Sequence, residues 1–360
     1  MEAPDRDYSV TFPTLWVVPA WIQRHCIVPD GFRKSRPFRM YDWQLFVTAN
    51  HYRINEDAEQ TAGWPEDPDA IPIRSKAFYY RRSQVMAPQK TGKGPWSAAI
   101  VCAEAVGPVL FLGWAAAGDT YECSDFGCDC GWVYAYVEGE PMGHPWPTPL
   151  IQLLATSEDQ VDNVYRPLQV MAKGERLASL MKVREGFIRL PNDGIIEVVT
   201  SSAMSRLGNP LNFCLQDESQ LYTQTNKLVK VAETMRRGAA AMGGRSIETT
   251  NCYDPAENSV AQRTRESLRP DIFKFYEPPP VEWSYKNKRE RARIHRYNYA
   301  GSPHADLHGI EAEAAELAEK DPGQAERFYG NRIVQGQGAW LADDLWEGAW
   351  ADADALAPSA

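Results

Sequence analysis

The run Ser83-Gln84-Val85-Met86-Ala87-Pro88-Gln89-Lys90-Thr91-Gly92-Lys93-Gly94-Pro95-Trp96-Ser97-Ala98-Ala99-Ile100 decides how the rest of the chain is read. Val85 and Met86 end a strand-like stretch, Pro88 breaks it, and a short polar loop carries Gly92-Lys93. An Ala/Ile-rich helical pattern then continues through Val101, Cys102 and Ala105. Strand, loop and helix in this order make a phosphate cradle. Glycine lets backbone N–H groups approach the anion, the helix N-terminus faces it, and a lysine reaches the terminal phosphates. Against the pattern G-x-x-x-x-G-K-[ST] two positions differ, Ala87 at the first and Gly94 at the last. The hydroxyl that normally holds a magnesium ion is therefore missing from its usual place. On this stretch alone, an ordinary helix start is the competing reading.

A chain of 360 residues, 44% hydrophobic and 24% charged, is globular and long enough for one large α/β domain or one with a smaller companion. No apolar run approaches the roughly 18 residues of a membrane span. The start Met-Glu-Ala-Pro-Asp-Arg-Asp lacks the basic and apolar regions of a signal peptide. A soluble intracellular protein without a membrane partner is expected. Seven cysteines, an odd number over a long chain, point to reduced thiols rather than a disulfide scaffold. A net charge of −10 means that any contact with DNA needs a local basic patch.

Downstream the pattern alternates between strands and helices. Asp42 reads as the cap of a helix whose Leu45, Phe46 and Val47 face inward. Residues 55–74 are acidic and Pro-rich, and 115–148 read as an inserted loop or hairpin. Pro149 to Ser157, Ile195 to Thr200, Asn212 to Gln216 and Ser246 to Thr250 read as strands, with helices after Glu158 and from about Thr223 to Ala241. Such alternation predicts a mostly parallel sheet covered on both faces. The reading is a three-layer α/β P-loop NTPase of ASCE/RecA-like type with a small helical lid. The boundaries are 1–275 for the core with its N-terminal arm, 276–341 for the lid and 342–360 for a disordered tail.

Asn212-Phe213-Cys214-Leu215-Gln216-Asp217-Glu218 is the second informative stretch. An apolar strand delivering two adjacent carboxylates to the carboxyl edge of a sheet suits nucleotide hydrolysis: Asp217 holds magnesium and Glu218 polarises the attacking water. The alternative is a helix start capped by Asp217. Thr249, Thr250 and Asn251 end the next strand, where hydroxyl and amide groups could sense a γ-phosphate; a polar turn is the alternative. The segment 285–297 is basic with interleaved aromatics, and Lys286, Lys288, Arg289 and Arg293 are its candidate DNA-phosphate contacts, against a merely solvated face. Cys123, Cys128 and Cys130, with His144, could form a zinc knuckle, although the C-x4-C-x-C spacing fits no common zinc class. Reduced thiols are the alternative.

Tyr-Asp-Trp-Gln ending at Gln44, Gln-Lys-Thr-Gly-Lys-Gly at 89–94, Ala-Thr-Ser-Glu-Asp-Gln at 155–160, Ser-Arg-Leu-Gly at 205–208, Leu-Gln-Asp-Glu at 215–218 and Thr-Thr-Asn-Cys-Tyr-Asp-Pro at 249–255 occur in this order. As a set they resemble the ATPase domain of tailed-phage terminase large subunits, especially those of phages infecting actinobacteria. The resemblance runs from about residue 15 to 341. It implies an ATP-hydrolysing, magnesium-dependent motor that drives double-stranded DNA into a procapsid. Its implied partners are a portal, a small terminase subunit and further copies of itself in a pentameric ring, in the host cytoplasm. A helicase-like ATPase or a non-hydrolysing structural component are the alternatives.

Residue by residue, the resemblance implies that Gln44 reads adenine and that Gln89, Lys90, Thr91, Gly92, Lys93, Gly94 and Pro95 wrap the phosphates, with Lys93 on the β and γ groups. Asp217 would hold Mg2+, and Glu218 would orient the water. Arg206 would reach a neighbouring subunit's ATP, a surface or salt-bridged arginine being the alternative. Thr249, Thr250 and Asn251 would couple hydrolysis to motion. With Gly94 in place of a hydroxyl residue, Thr91 or Ser97 are the nearby substitutes. Full-length terminases continue into a nuclease, and the acidic tail here is too short to form one, so no DNA cleavage by this polypeptide is expected.

Overall fold

A computed structural model describes residues 6–71, 74–156, 158–200 and 210–336. Its centre is an eight-stranded sheet built from β1 (Arg82–Met86), β2 (Leu150–Leu154), β3 (Lys182–Val183), β4 (Phe187–Arg189), β5 (Ile195–Val199), β6 (Phe213–Asp217), β7 (Arg245–Thr250) and β8 (Ile272–Tyr276). The strands lie in the order β8-β1-β7-β6-β2-β5-β4-β3. Every pairing from β8 to β5 is parallel, and at one edge β4 pairs antiparallel with both β5 and β3. The mostly parallel α/β fold read from the alternation is thus present.

Period-two side-chain alternation splits the strands between two cores. Val85, Leu153, Phe213, Leu215 and Ile247 pack on one face beneath α1 (Val17–His25), α2 (Asp42–His51), α3 (Lys93–Val106) and α4 (Glu158–Ala172). Leu154 and Cys214 point the other way, onto Leu228, Val231, Ala232 and Met235 of α5 (Leu228–Ala241). The same side carries α6 (Val260–Glu266), whose Ala261 packs with Met86 and Cys252. Parallel strands buried on both faces read as continuous apolar runs, and all five residues of β6 are buried, Asp217 included. The helix α3 is small-residue-rich and almost wholly buried, which lets it lie between the sheet and α4.

Three further helices, α7 (Lys288–Asn298), α8 (Leu307–Lys320) and α9 (Pro322–Phe328), share a separate small core of Tyr285, Ile294, Tyr299, Ile310, Ala314, Ala325 and Tyr329. Residues 110–144 carry two antiparallel pairings: Thr120–Glu122 with Val133–Ala135, and Leu110–Trp114 with Pro141–His144. No helix among the described residues is long and apolar enough to cross a membrane.

Three local expectations change. Tyr41, not Asp42, is the N-cap of α2: its backbone N–H donates to Gln44 Oε1, and Asp42 is already helical and exposed. The buried face of that helix carries Trp43, Gln44 and Val47, leaving Leu45 and Phe46 half-buried. The strand β8 has no counterpart in the sequence reading, because Lys274 interrupts its apolar run. At the sheet's edge that lysine turns out to the Arg265 and Ser267 carbonyls after α6. The tail from 342 lies outside the described residues.

Candidate active site

The site assembles because β7 lies between β1 and β6. In register, Met86 faces Thr250 across one pairing and Asp217 faces Thr249 across the other. Loop, Thr249-Thr250-Asn251 and acid pair therefore leave the same carboxyl edge of three adjacent strands, where open parallel sheets bind ligands.

Two residues in the left-handed region, Lys90 (φ 63°) and Gly92 (φ 97°), bend the loop into the start of α3. Gly92 is the N-cap and brings no side chain to the first turn of the helix, the end of a helix that suits an anion. Lys93 is buried and its Nζ donates to Ala87 O at 2.6 Å, Pro88 O at 2.7 Å and Asn251 Oδ1 at 3.0 Å. Burial lowers its pKa, against the charges of Glu218 and Asp217 that raise it. Gln44 lies against the loop: its Nε2 donates to Gly92 O at 3.2 Å and its Oε1 accepts from Tyr41 N at 3.0 Å. The small group of α7 to α9 grips the loop from outside. Tyr299 Oη donates to Gln89 O at 2.8 Å, Ser302 Oγ to Thr91 O at 3.0 Å, and Gln89 N to Phe328 O at 2.9 Å.

Gly94 has a steric reason. A Cβ there would lie 2.6 Å from the backbone carbonyl of Asn163 in α4, closer than side-chain carbons approach. The hydroxyl residue usual at this position is excluded by the packing of α4 on α3. Of the two substitutes from the sequence, Thr91 Oγ1 is engaged, donating to Pro88 O at 2.9 Å, and Ser97 Oγ is fully buried and has no hydrogen-bond partner among the described residues.

Asp217 ends β6 and is buried, with Oδ1 accepting from Thr249 Oγ1 at 2.6 Å. Burial, and then the neighbouring Glu218 charge, push its pKa up to about 7 against the pull of Thr249 and Lys93. Glu218 adopts a left-handed backbone (φ 54°), and neither acid caps the following turn as a helix start would require. Instead Glu218 Oε2 accepts from Asn251 Nδ2 at 2.8 Å and from Gln220 Nε2. Gln220, which the sequence reading missed, also takes the Thr250 hydroxyl on its Oε1 at 2.7 Å. Thr249, Thr250 and Asn251 are thus fully buried parts of a strand end rather than a surface turn. Gln220 stands 30 positions from Thr250, and nothing in its local sequence signals that contact.

A cleft of about 700 Å³ opens over these groups. Gln89, Lys90, Gly92, Lys93, Gly94, Pro95, Asp217 and Glu218 line one wall, and His304, Asp306, Ile310 and Glu313 line the other. This size lies within the range of nucleotide and drug-sized ligand sites, roughly 300–1,000 Å³. Gln44 is set back behind Gly92 and does not line it.

The remaining candidates are dispersed. Arg206 lies outside the described residues. Lys286, Lys288 and Arg289 are exposed at the start of α7, whereas Arg293 is half-buried with its guanidinium 4.4 Å from the Trp283 ring centre. Cys123, Cys128 and Cys130 do converge, but on His25 rather than His144. His144 Nδ1 is 2.6 Å from its neighbour's carbonyl, Pro145 O, and its ring packs against Trp64 and Phe126.

No protein-family model matches the chain. It is 28% identical over 259 residues to the Gene 13 protein of Mycobacterium phage L5, covering 69% of this chain and 40% of that protein. To the Gene 13 protein of Mycobacterium phage D29 it is 26% identical over 273 residues, covering 72% and 42%. The chain thus spans about two-fifths of the length of the curated relatives it matches. Among solved structures, the HK97 bacteriophage large terminase matches with a TM-score of 0.58 at 17% identity, over 92% of this chain and 57% of that one. Over the portion it spans, the chain has the fold of a bacteriophage large terminase.

Proposed function

We propose that this chain binds ATP in the cleft at the carboxyl edge of β1, β7 and β6, hydrolyses it, and works as the motor that drives double-stranded DNA into a viral procapsid. The observation that carries the reading is the side-chain path from Lys93 through the buried Asn251 to Glu218, whose two ends line a cleft of suitable size. The terminase fold supports the packaging role.

In this reading the loop N–H groups and Lys93 bind the phosphates, exchanging the ammonium's present carbonyl partners for phosphate oxygens. Asp217 would hold a magnesium ion through the carboxylate oxygen that Thr249 does not engage, and the ion would offset phosphate charge; Gly94 contributes no donor. Glu218 accepts the proton of the attacking water, and Asn251 holds that carboxylate in place. Gln44 stiffens the loop through its bond to the Gly92 carbonyl. The helices α7 to α9, within the stretch read as a lid, close over the loop, since Tyr299, Ser302 and the Phe328 carbonyl already touch its backbone. Arg206 acts on a neighbouring subunit's ATP in a ring of copies. The portal, the small terminase subunit and DNA, gripped by Lys286, Lys288 and Arg289 with Arg293 buttressing Trp283, complete the assembly. The host cytoplasm is its place of action.

Glu218→Gln tests the reading. The variant should bind ATP with wild-type affinity and lose turnover by about 100-fold or more, the range for removal of a general base. Near-normal turnover removes Glu218 from the chemistry. No magnesium-dependent hydrolysis by the unaltered chain, with or without DNA, makes it a structural component of the packaging complex.

A further inference from the structure

Away from the Lys93 loop and the acid pair, α1 ends on His25, and the insertion after α3 brings three thiols to it. Cys123 Sγ lies 3.2 Å from His25 Nε2, Cys128 Sγ 3.6 Å and Cys130 Sγ 3.2 Å. All four donor atoms lie within 4.8 Å of one another. The local backbone is shaped to bring the thiols together. Cys123 opens a single helical turn that Gly127 closes in the left-handed region (φ 76°), so that Cys128 N bonds back to Cys123 O at 3.1 Å. Gly131 (φ 66°) then turns the chain after Cys130, and Cys123 N donates to Trp132 O at 3.1 Å.

Thiol packing alone does not account for this convergence. His25 Nδ1 lies 2.9 Å from Trp21 O, an acceptor only, so Nδ1 carries the proton and Nε2 presents its lone pair. One lone pair accepts one S–H, yet three sulfurs crowd around it. A central ion satisfies all three together. For zinc bonds of about 2.3 Å to sulfur and about 2.05 Å to nitrogen, a tetrahedron sets each sulfur about 3.6 Å from the nitrogen. The observed 3.2–3.6 Å lies within a few tenths of an ångström of that value.

We propose that His25 Nε2 and the thiolates of Cys123, Cys128 and Cys130 bind one zinc ion, a closed four-ligand site that ties residues 123–130 to the end of α1. Binding releases three thiol protons to solvent and leaves the ion with its ligands at a net charge of −1. Two cations lie beside it. Arg24 Nη2 donates to Cys130 O at 3.1 Å, and Arg176 Nη1 donates to Arg24 O. Arg24 Nε is buried with no acceptor among the described residues. Trp21 stacks on His25 at 4.3 Å, the outer-sphere hydrogen bond to its carbonyl fixes the tautomer, and α1 packs on α3. With all four positions taken by protein, the ion's role is structural.

Metal analysis of the full chain, expressed with zinc and purified under reducing conditions, should give about one zinc per chain. His144→Ala should keep it and His25→Ala should lose it. Because His25→Ala removes a buried side chain, Co2+ exchange into the unaltered chain provides a second reading: intense visible d–d bands of a tetrahedral site with thiolate-to-metal charge transfer. Removal of the ion by a chelator should lower the melting temperature. No stoichiometric zinc together with no cobalt bands, or zinc lost with His144 and kept without His25, overturns the site; an unchanged melting temperature after zinc removal overturns its structural role.

Discussion

The side-chain amide of Asn251 joins Lys93 to Glu218: its Oδ1 accepts from the lysine ammonium at 3.0 Å, and its Nδ2 donates to Glu218 Oε2 at 2.8 Å. One amide thus orients the loop cation and the candidate base, on a strand that neither of them occupies. Asn251→Ala removes both contacts and leaves the charges in place. If Asn251 positions Glu218, kcat should fall by about 10- to 100-fold while KM for ATP changes only a few-fold, the pattern of an interaction made chiefly in the transition state. Steady-state kinetics measure it, and an unchanged kcat removes Asn251 from the coupling path.

Restoring the usual hydroxyl at position 94 should harm the protein. In Gly94→Ser the new Cβ meets the Asn163 carbonyl at 2.6 Å, and this is backbone inside α4 that cannot rotate away. Overpacking of this kind costs about 1–3 kcal/mol, read as a lower midpoint in denaturant. Magnesium dependence should not improve. A Gly94→Ser variant as stable as its parent, with tighter magnesium binding, means that α4 yields and that the missing hydroxyl is not excluded by packing.

What was legible in the sequence was local pattern. The strand, loop and helix around Lys93 and the apolar strand ending in Asp217-Glu218 each announce themselves within ten or so residues, because burial on both faces leaves a continuous apolar run. Their meeting at one sheet edge followed from parallel alternation. The partners that make each group work were not legible. Asn163 explains Gly94, Gln220 ties Glu218 to Thr250, and His25 rather than His144 meets the three cysteines. Each is a contact between distant segments whose own neighbourhoods look ordinary. His144 was favoured by nearness in sequence, yet its strand pairs with Leu110–Trp114 and carries the ring to Trp64 and Phe126. The strand β8 was missed for another reason, since an edge strand tolerates the outward-turned Lys274 that breaks its apolar signature.

The raised pKa of Asp217 sets a pH dependence. Burial and the Glu218 charge lift it from an ordinary 3.8 to about 7 in the folded chain. Between these values the folded state holds more protons than the unfolded state, so this group's contribution to stability falls as pH rises from about 4 to 7 and is constant above. Asp217→Asn keeps an acceptor for Thr249 and removes the titration. The nucleotide-free variant should therefore melt higher than the wild type at pH 8, with the gap narrowing towards pH 4. Thermal denaturation across this range measures it, and a gap that is absent at pH 8 or widens towards acid means that Asp217 is not held protonated by its surroundings.

The lid contact can be separated from the chemistry. Ser302 Oγ is buried and donates to Thr91 O at 3.0 Å, fixing a loop carbonyl from the far side of the phosphate wall. Ser302→Ala leaves that carbonyl without its side-chain donor, which costs about 1–3 kcal/mol where the group stays buried. The loss falls on the resting shape of the loop rather than on Glu218 or Asn251. KM for ATP should therefore rise several-fold with kcat within about two-fold of the parent, as expected when binding is lost equally from ground and transition states. Tyr299→Phe, which removes the 2.8 Å bond to Gln89 O, should act in the same direction, and the double variant should depart from additivity because Ser302 N donates to Tyr299 O and both carbonyls belong to one loop. A fall in kcat with KM unchanged would mean that the small helical core takes part in the hydrolytic step itself and does more than hold the loop.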